Sequence, residues 1–171
     1  GVDHEFATMK GISEDVVEIF LNLKQVRFKK AVDHEVANEK VMLSIRNKTE
    51  FTAGMIGEGT HSFQIMNPDL LICTLDSSAR MDIELTIGKG RGYVPAEDNK
   101  PKDAPLGYIP IDAIFTPIKN VKYTIENTRV EQRTDFEKLI MEVSTDGTIH
   151  PEEAVKQASR ILIQHLMIIT D

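Results

Sequence analysis

The sequence has few aromatic residues, a single cysteine and no long apolar run. Tryptophan is absent and only 6% of the residues are aromatic, so the chain has few of the rings on which single-stranded nucleic acids stack. Cys73 is its one cysteine, which excludes an internal disulfide and is compatible with a reducing cytoplasm. No apolar run approaches the roughly 20 residues that a membrane-spanning helix needs, so we expect no membrane contact.

Positive charge is also in short supply. The 171 residues include 20 lysines and arginines against 27 aspartates and glutamates, which gives a formal net charge of -7. Such a chain repels phosphate backbones unless its basic residues form a separate patch, so we expect no direct contact with nucleic acid. The hydrophobic fraction of 41% is enough for a buried core, and the length fits one domain or two small ones.

Hydrophobic periodicity predicts an α+β fold. Ser13, followed by Glu14 and Asp15, is typical of a helix N-cap with acids in the first turn, and this helix should end near Lys24. Apolar and polar residues then alternate in several candidate strands, as in a sheet with one wet face. Strands are predicted at residues 2–6, 26–30, 41–45, 51–56, 70–75, 81–87, 108–115, 121–130 and 138–143. Loops are predicted at 54–59 and 94–107, and a turn at 146–147.

The final predicted helix is more apolar than a single buried face requires. His150 is placed to cap it, Pro151 suits its first position, and acids fill its first turn. One set of its residues could face the chain's own sheet: Val155, Ala158, Leu162, Leu166 and Ile169. Ile161 and Ile168 are then left over. Because a helix that is apolar on two sides usually has two neighbours, we expect a partner chain there, the alternative being another helix of this chain.

Residues suited to chemistry are sparse. No two of the five histidines have the spacing of a metal site. Cys73 lies in an apolar strand, where a structural thiol is the expected role. Asp82 and Glu84 share one face of a strand and are better explained as part of a solvated surface. We therefore predict no catalytic, cofactor-binding or metal-binding residues, which favours an interaction protein over an enzyme.

One glycine-rich segment leaves a second function open. Glycines alternate with basic residues in GKGRG at 88–92, a composition that invites comparison with phosphate-binding loops. The segment lacks the Walker spacing and no helix signal follows it, so a bulge or tight bend is the favoured interpretation. The alternative is a stand-alone phosphate-ligand-binding protein or enzyme that uses the loop from Gly88 to Gly92.

Four segments carry a resemblance to a known family. They are KGRGYVPA at 89–96, RVEQRTDFEKL at 129–139, GTIHPEEA at 147–154, and an opening stretch with HEF at 4–6, Gly11, Glu14, Asp15 and LNLK at 21–24. In the order in which they follow along the chain, and across essentially its whole length, they resemble the N-terminal domain of bacterial RNA polymerase alpha subunits. The resemblance implies a β-rich insert subdomain at residues 1–115. At residues 116–171 it implies the C-terminal half of an α+β dimerisation subdomain with a long C-terminal helix.

The function implied by this resemblance is assembly of a nucleotidyltransferase complex. Alpha subunits dimerise and recruit the beta and beta-prime subunits in the bacterial cytoplasm, associated with the nucleoid, without a cofactor or catalytic residues of their own. The implied dimer interface on the last helix comprises Ala154, Ala158, Ile161, Leu162, His165 and Ile168. The implied contact with the large subunits comprises Lys24, Arg91, Gly92, Tyr93, Ile111 and Asp112. Lys24 would supply an ionic contact, and Ile111 would either dock by its apolar side chain or pack in the core.

Two further expectations concern the extent of the chain and its class. A first residue Gly1 in a strand-like pattern predicts a chain cut from a larger protein; removal of an initiator methionine and a tag remnant are the alternatives. The resemblance places the family's first strand and first helix outside this sequence. A non-polymerase adaptor of the same α+β class is a third functional interpretation, which only the identity of its partners would distinguish.

Overall fold

The structure, a computed structural model, describes residues 10–104 and 107–170. The chain divides into two units, Gly1–Thr116 and Pro117–Asp171. The first contains α1 (Val16–Leu23), β1 (Phe28–Lys30), β2 (Glu39–Arg46), β3 (Glu50–Thr52), α2 (Ala53–Glu58), β4 (Phe63–Ile65), β5 (Leu71–Thr74), β6 (Arg80–Ile87), β7 (Tyr93–Val94), a 3-10 helix (Ala96–Asn99) and β8 (Ala113–Ile114). The second contains β9 (Ile118–Val130), β10 (Arg133–Thr145) and α3 (Pro151–Thr170). This mixture of helices and antiparallel strands confirms the predicted α+β class; the strand predicted at residues 2–6 lies outside the described residues.

The strands of the first unit pair in twos, all antiparallel: β1 with β4, β2 with β6, β3 with β5, and β7 with β8. In the longest pair, Val41 lies opposite Leu85 and Ile45 opposite Met81 on the inner face. The outer face places Ser44 opposite Asp82, with 2.6 Å between the hydroxyl and a carboxylate oxygen. The alternation of period two that predicted these strands therefore corresponds to one buried and one solvated face.

The core of the first unit lies between the helices and the paired strands. Its largest fully buried side chains are Phe51, Ile56, Ile72, Val41 and Cys73. Helix α1 contributes Ile19 to this core, and the Asn22 side chain donates a hydrogen bond of 2.8 Å to the carbonyl oxygen of Ile72 in β5. Burying each large apolar side chain stabilises the fold by roughly 1.5–3 kcal/mol, so this cluster and its hydrogen bond hold α1 firmly in place.

The N-cap of α1 is Asp15, and the prediction of Ser13 was wrong. The Asp15 carboxylate accepts a hydrogen bond from the backbone N–H of Glu18 at 2.8 Å, and the Glu18 carboxylate accepts one from the Asp15 N–H at 3.3 Å. This reciprocal pair is a capping box, which satisfies two helix-end donors at once. Ser13 and Glu14 instead form hydrogen bonds with Thr74, the last residue of β5. The predicted end near Lys24, the C-cap residue, is confirmed.

The strand and loop predicted across residues 51–59 were partly wrong. Only Glu50–Thr52 is extended, and Ala53–Glu58 forms α2. Gly54 and Gly57 lie within this helix because its backbone packs closely on its neighbours: a Cβ at Gly54 would be 3.3 Å from Pro68, and one at Gly57 would be 3.0 Å from Ile65. Glycine is unfavourable in an isolated helix, so tertiary packing outweighs the low helix propensity of these two residues.

The strand predicted at 108–115 is also shorter than expected, since only Ala113–Ile114 pairs as β8. Pro110 has no N–H for a ladder. In addition, the carbonyl oxygen of Ile111 accepts a hydrogen bond from the Asn99 side chain at 2.9 Å. Residues 107–112 therefore form an irregular connection that is stabilised by the hydrogen bond from the Asn99 side chain.

Candidate functional site

Helix α3 begins as the sequence predicts. Pro151 is its first residue, and the His150 ring nitrogen accepts a hydrogen bond from the Glu152 N–H at 3.3 Å. Glu152 pairs with Lys156 at 3.3 Å, and Glu153 pairs with Arg160 at 3.6 Å. Acids near the helix N-terminus also interact favourably with its dipole. The polar side of the helix is therefore stabilised within the chain, whereas few residues of the chain contact its apolar side chains.

Beyond its first turn, α3 is exposed along its whole length. Ala154 is its only buried residue, where the helix packs on β10, and every residue from 155 to 170 is exposed. The expectation that one face packs on the chain's own sheet was wrong for all five residues named for it: Val155, Ala158, Leu162, Leu166 and Ile169. The physical reason is that the hairpin beside it meets only the start of the helix.

The residues predicted for a dimer interface lie along this uncovered helix. Spacings of four and three residues place Ala154, Ala158, Ile161, His165 and Ile168 on one stripe, with Leu162 beside it. We call these six residues the helix face. Ile168 is 79% exposed and Leu162 is 65% exposed. The structure thus leaves five of the six predicted residues exposed on one side of α3, whereas Ala154 is buried.

The β9–β10 hairpin has a second uncovered apolar face, which the sequence analysis missed. Its register places three apolar pairs on one side: Val121 with Val143, Tyr123 with Met141, and Ile125 with Leu139. The opposite side carries the oppositely charged pairs Lys122 with Glu142 and Glu126 with Lys138. The period of two in both segments was visible, but neither segment alone reveals their register or the lack of a covering layer.

Five of the six residues predicted for the large-subunit contact, all except Lys24, lie in a segment that we call the ribbon, the described residues 88–104 and 107–116. Tyr93 lies opposite Ile114 in the β7–β8 pair, and both side chains are exposed. The carbonyl oxygen of Gly92 accepts hydrogen bonds from the N–H groups of Phe115 at 2.7 Å and Thr116 at 3.1 Å. Gly92 has a φ of +63°, a conformation that glycine adopts without strain. The ribbon therefore bends tightly at Gly92 and presents an apolar pair.

An ion pair joins the ribbon to α1. The Lys24 ammonium contacts the Asp112 carboxylate, and their side chains are only 26% and 25% exposed. The Tyr93 hydroxyl lies beside the same carboxylate. The hydrogen bond from Lys24 is the main cause that holds the pKa of Asp112 below its usual value. Desolvation, followed by the charge and hydrogen bond of Asp112, raises the pKa of Tyr93.

Three of the six residues predicted for this contact, Lys24, Tyr93 and Asp112, thus lie together, and the others differ in their surroundings. Arg91 is exposed next to Gly92, whereas Ile111 is half-buried. Ile114, which was not predicted, presents an exposed apolar side chain, whereas for Ile111 docking and core packing were both open. Alternation through the 108–115 segment could not identify Ile114 because the strand begins only at Ala113.

The described residues do not support the alternative functions that depend on phosphate binding, metal binding or paired carboxylates. Residues 88–92 lead into the short strand β7 and not into a helix N-terminus of the kind that cradles phosphate. Within residues 10–104 and 107–170, no three His, Cys, Asp or Glu side chains cluster as metal ligands would. Asp82 and Glu84 pair with Arg46 and Lys40 on the surface, in agreement with the solvated-face interpretation. Among the helices of this described part, none combines the length and apolarity of a membrane span.

Comparison with known proteins identifies the family. Residues 1–116 match the model of the RNA polymerase Rpb3/RpoA insert domain. Over all 171 residues, the chain is 62% identical to a DNA-directed RNA polymerase subunit alpha of Cytophaga hutchinsonii and 56% identical to one of Bacteroides thetaiotaomicron. It is 50% identical over the same span to one of Porphyromonas gingivalis. The chain spans about half the length of these relatives, 51% of the first and 52% of the others. The resemblance to bacterial RNA polymerase alpha subunits is thereby confirmed, and the chain belongs to the RNA polymerase Rpb3/RpoA insert domain family.

Proposed function

We propose that this chain is part of a non-catalytic scaffold subunit of a bacterial, cytoplasmic DNA-directed RNA polymerase. In this proposal, the subunit forms a homodimer and nucleates assembly of the beta and beta-prime subunits. Family membership and the shared name of the relatives support the polymerase role. The first unit would act as the β-rich insert, and the second would contribute its hairpin and α3 to dimerisation.

The observation that carries the proposal is the exposed apolar surface of α3. A monomeric soluble protein rarely exposes a large contiguous apolar patch, because such a patch favours association. The helix face also has the regular four-and-three spacing that lets two helices pack side by side. A two-fold contact requires a self-complementary surface, and the helix face, made of Ala, Ile and Leu side chains with the single histidine His165, meets that requirement without an acidic residue, a lysine or an arginine.

The ribbon supports the second half of the proposal. Tyr93 and Ile114 form an exposed apolar pair, and Arg91 lies two residues from Tyr93. Tyrosine and arginine are enriched in the energetically important centres of protein interfaces. A large subunit that covers this pair would gain apolar area from both side chains and an ionic contact from the arginine. Its chemistry requires no cofactor or metal in this chain.

Co-purification of the full-length subunit with the two large subunits tests this function. The wild-type subunit should retain both large subunits through size-exclusion chromatography. Replacing both Tyr93 and Ile114 by serine should release at least one of them. Met42→Ser is the matched control, because Met42 is an even more exposed apolar residue, on β2 and away from the ribbon. If the wild type retains neither large subunit, the polymerase role is refuted for this chain.

A further inference from the structure

Lys24 does not behave as a free surface charge in this structure. Its ammonium group is bound to Asp112 of the same chain, and the side chain is about three-quarters buried. We propose that Lys24 is a positioning residue: together with Asp112 it locks the ribbon onto the end of α1, so that Tyr93 and Ile114 are presented to a large subunit. The identity of that partner rests on the proposed function, whereas the ion pair of Lys24 and Asp112, which we call the lock, is a property of the free chain.

The ribbon needs such a lock because little else anchors it. No described residue from 88 to 116 belongs to the buried core of the first unit. Its strands are only two residues long, and the 3-10 helix between them has no buried residue. Short strand pairs of this kind are marginal in water without packing against another element. An ion pair with a rigid part of the fold would therefore determine the fraction of time that the ribbon spends in one conformation.

The other end of the lock is rigid. Lys24 is the C-cap of α1, and its N–H donates to the Phe20 carbonyl oxygen at 3.0 Å. Its own carbonyl oxygen accepts a hydrogen bond from Arg27 at 3.1 Å. The same helix is fixed to β5 by Asn22 and to the core by Ile19. A charge carried on this helix end is thus held in place before it meets the ribbon.

The Asp112 carboxylate links three segments of the chain. It contacts the ammonium of Lys24 and lies beside the hydroxyl of Tyr93, so the surroundings of Tyr93 depend on the position of Asp112. Partly buried charges are less screened by solvent and salt than exposed ones. Removal of one partner also leaves the other poorly compensated, which costs more than loss of a surface pair. Lys24 would therefore influence binding through Tyr93, without touching the partner.

Charge reversal in the full-length subunit tests the lock. The variants are Lys24→Asp, Asp112→Lys and the double variant that carries both. Two quantities are measured: amide hydrogen exchange of residues 88–116 in the free subunit, and its affinity for the isolated beta and beta-prime subunits. The exposed pair Lys40 and Glu84, reversed in the same way, is the matched control.

Each single reversal should speed exchange in the ribbon and weaken binding of a large subunit, both by about tenfold, as loss of a partly buried ion pair predicts. The double variant should recover most of both losses, and the control reversals should change neither. If a reversed variant does not fold, Lys24→Gln, which removes only the charge, should give the same two changes with smaller size.

Two results would overturn the proposal. Unchanged exchange in the single variants would mean that the pair does not hold the ribbon. Recovery of exchange without recovery of binding in the double variant would mean that Lys24 or Asp112 contacts the partner directly. Failure of the proposed function has a different signature, since the wild-type subunit would then bind no large subunit while the exchange measurements still decide whether the lock exists.

Discussion

Alanine in place of Ile168 should weaken self-association of the full-length subunit strongly. Ile168 is 79% exposed in the single chain, so a partner helix could bury most of it. Burial of a fully exposed isoleucine is worth roughly 1.5–3 kcal/mol, and alanine would forfeit about 1–2 kcal/mol of that. A two-fold interface contains the substitution twice, so the loss should be about 2–4 kcal/mol, or a dissociation constant raised between about 30-fold and several hundred-fold.

Sedimentation equilibrium over a wide concentration range measures this dissociation constant directly. Ile169→Ala is the matched control, because Ile169 is the neighbouring residue, is 82% exposed, and lies about 100° around the helix from Ile168, outside the helix face. It should change the constant by less than about threefold, within the range of ordinary surface substitutions. Equal effects at the two positions, or no effect of Ile168→Ala, would refute the assignment of the helix face as a specific two-fold contact.

Three further predictions concern the first unit. Ile72→Ala should destabilise the chain by about 2–5 kcal/mol in urea denaturation, as for a fully buried isoleucine, whereas Leu71→Ala, on the exposed side of the same strand, should cost less than about 1 kcal/mol. Burial, followed by the nearby Glu14 carboxylate, raises the pKa of Cys73 to about 11. A thiol reagent at pH 8 should therefore label the native chain only as fast as the chain opens, and its stability should fall as the pH rises from 9 towards 11. Rapid labelling of the native chain would contradict this prediction. Asp15→Ala should cost about 1 kcal/mol through loss of the capping box, and Asp15→Asn much less; equal losses would show that the charge of Asp15, and not its capping hydrogen bond, stabilises the helix.

Local patterns in the sequence were sufficient for the strands and helix ends that depend on local physics. The alternation of Met81, Ile83, Leu85 and Ile87 predicted β6 because its two faces differ in solvent exposure. The succession of His150, Pro151 and two acids predicted the start of α3 for similar reasons. The family could be recognised because its characteristic segments retain their order along the chain.

Features that depend on distant residues could not be predicted in this way. Helix α2 forms despite two glycines because Pro68 and Ile65 pack against its backbone. The ion pair of Lys24 and Asp112 joins residues far apart in the sequence, and nothing near either residue indicates its partner. The hairpin face was missed for the same reason, since the register of two strands decides which side chains share a surface.

One expectation about α3 failed in an informative way. The pattern correctly indicated more apolar surface than one sheet could bury, but it assigned one face to the chain's own sheet. The structure leaves the entire helix beyond Ala154 exposed. The larger uncovered surface strengthens the case that α3 works in an assembly, because its exposure in a free monomer would favour non-specific association.

Native mass spectrometry of the assembled polymerase tests the scaffold role most directly. The full-length subunit is mixed with separately purified beta and beta-prime, and the masses of the resulting complexes are recorded over time. We predict a homodimer first, then a complex with one large subunit, and finally a complex of two scaffold copies with one beta and one beta-prime. A stable complex of beta with beta-prime that forms at the same rate without this subunit, or that contains a single copy of it, would contradict the account.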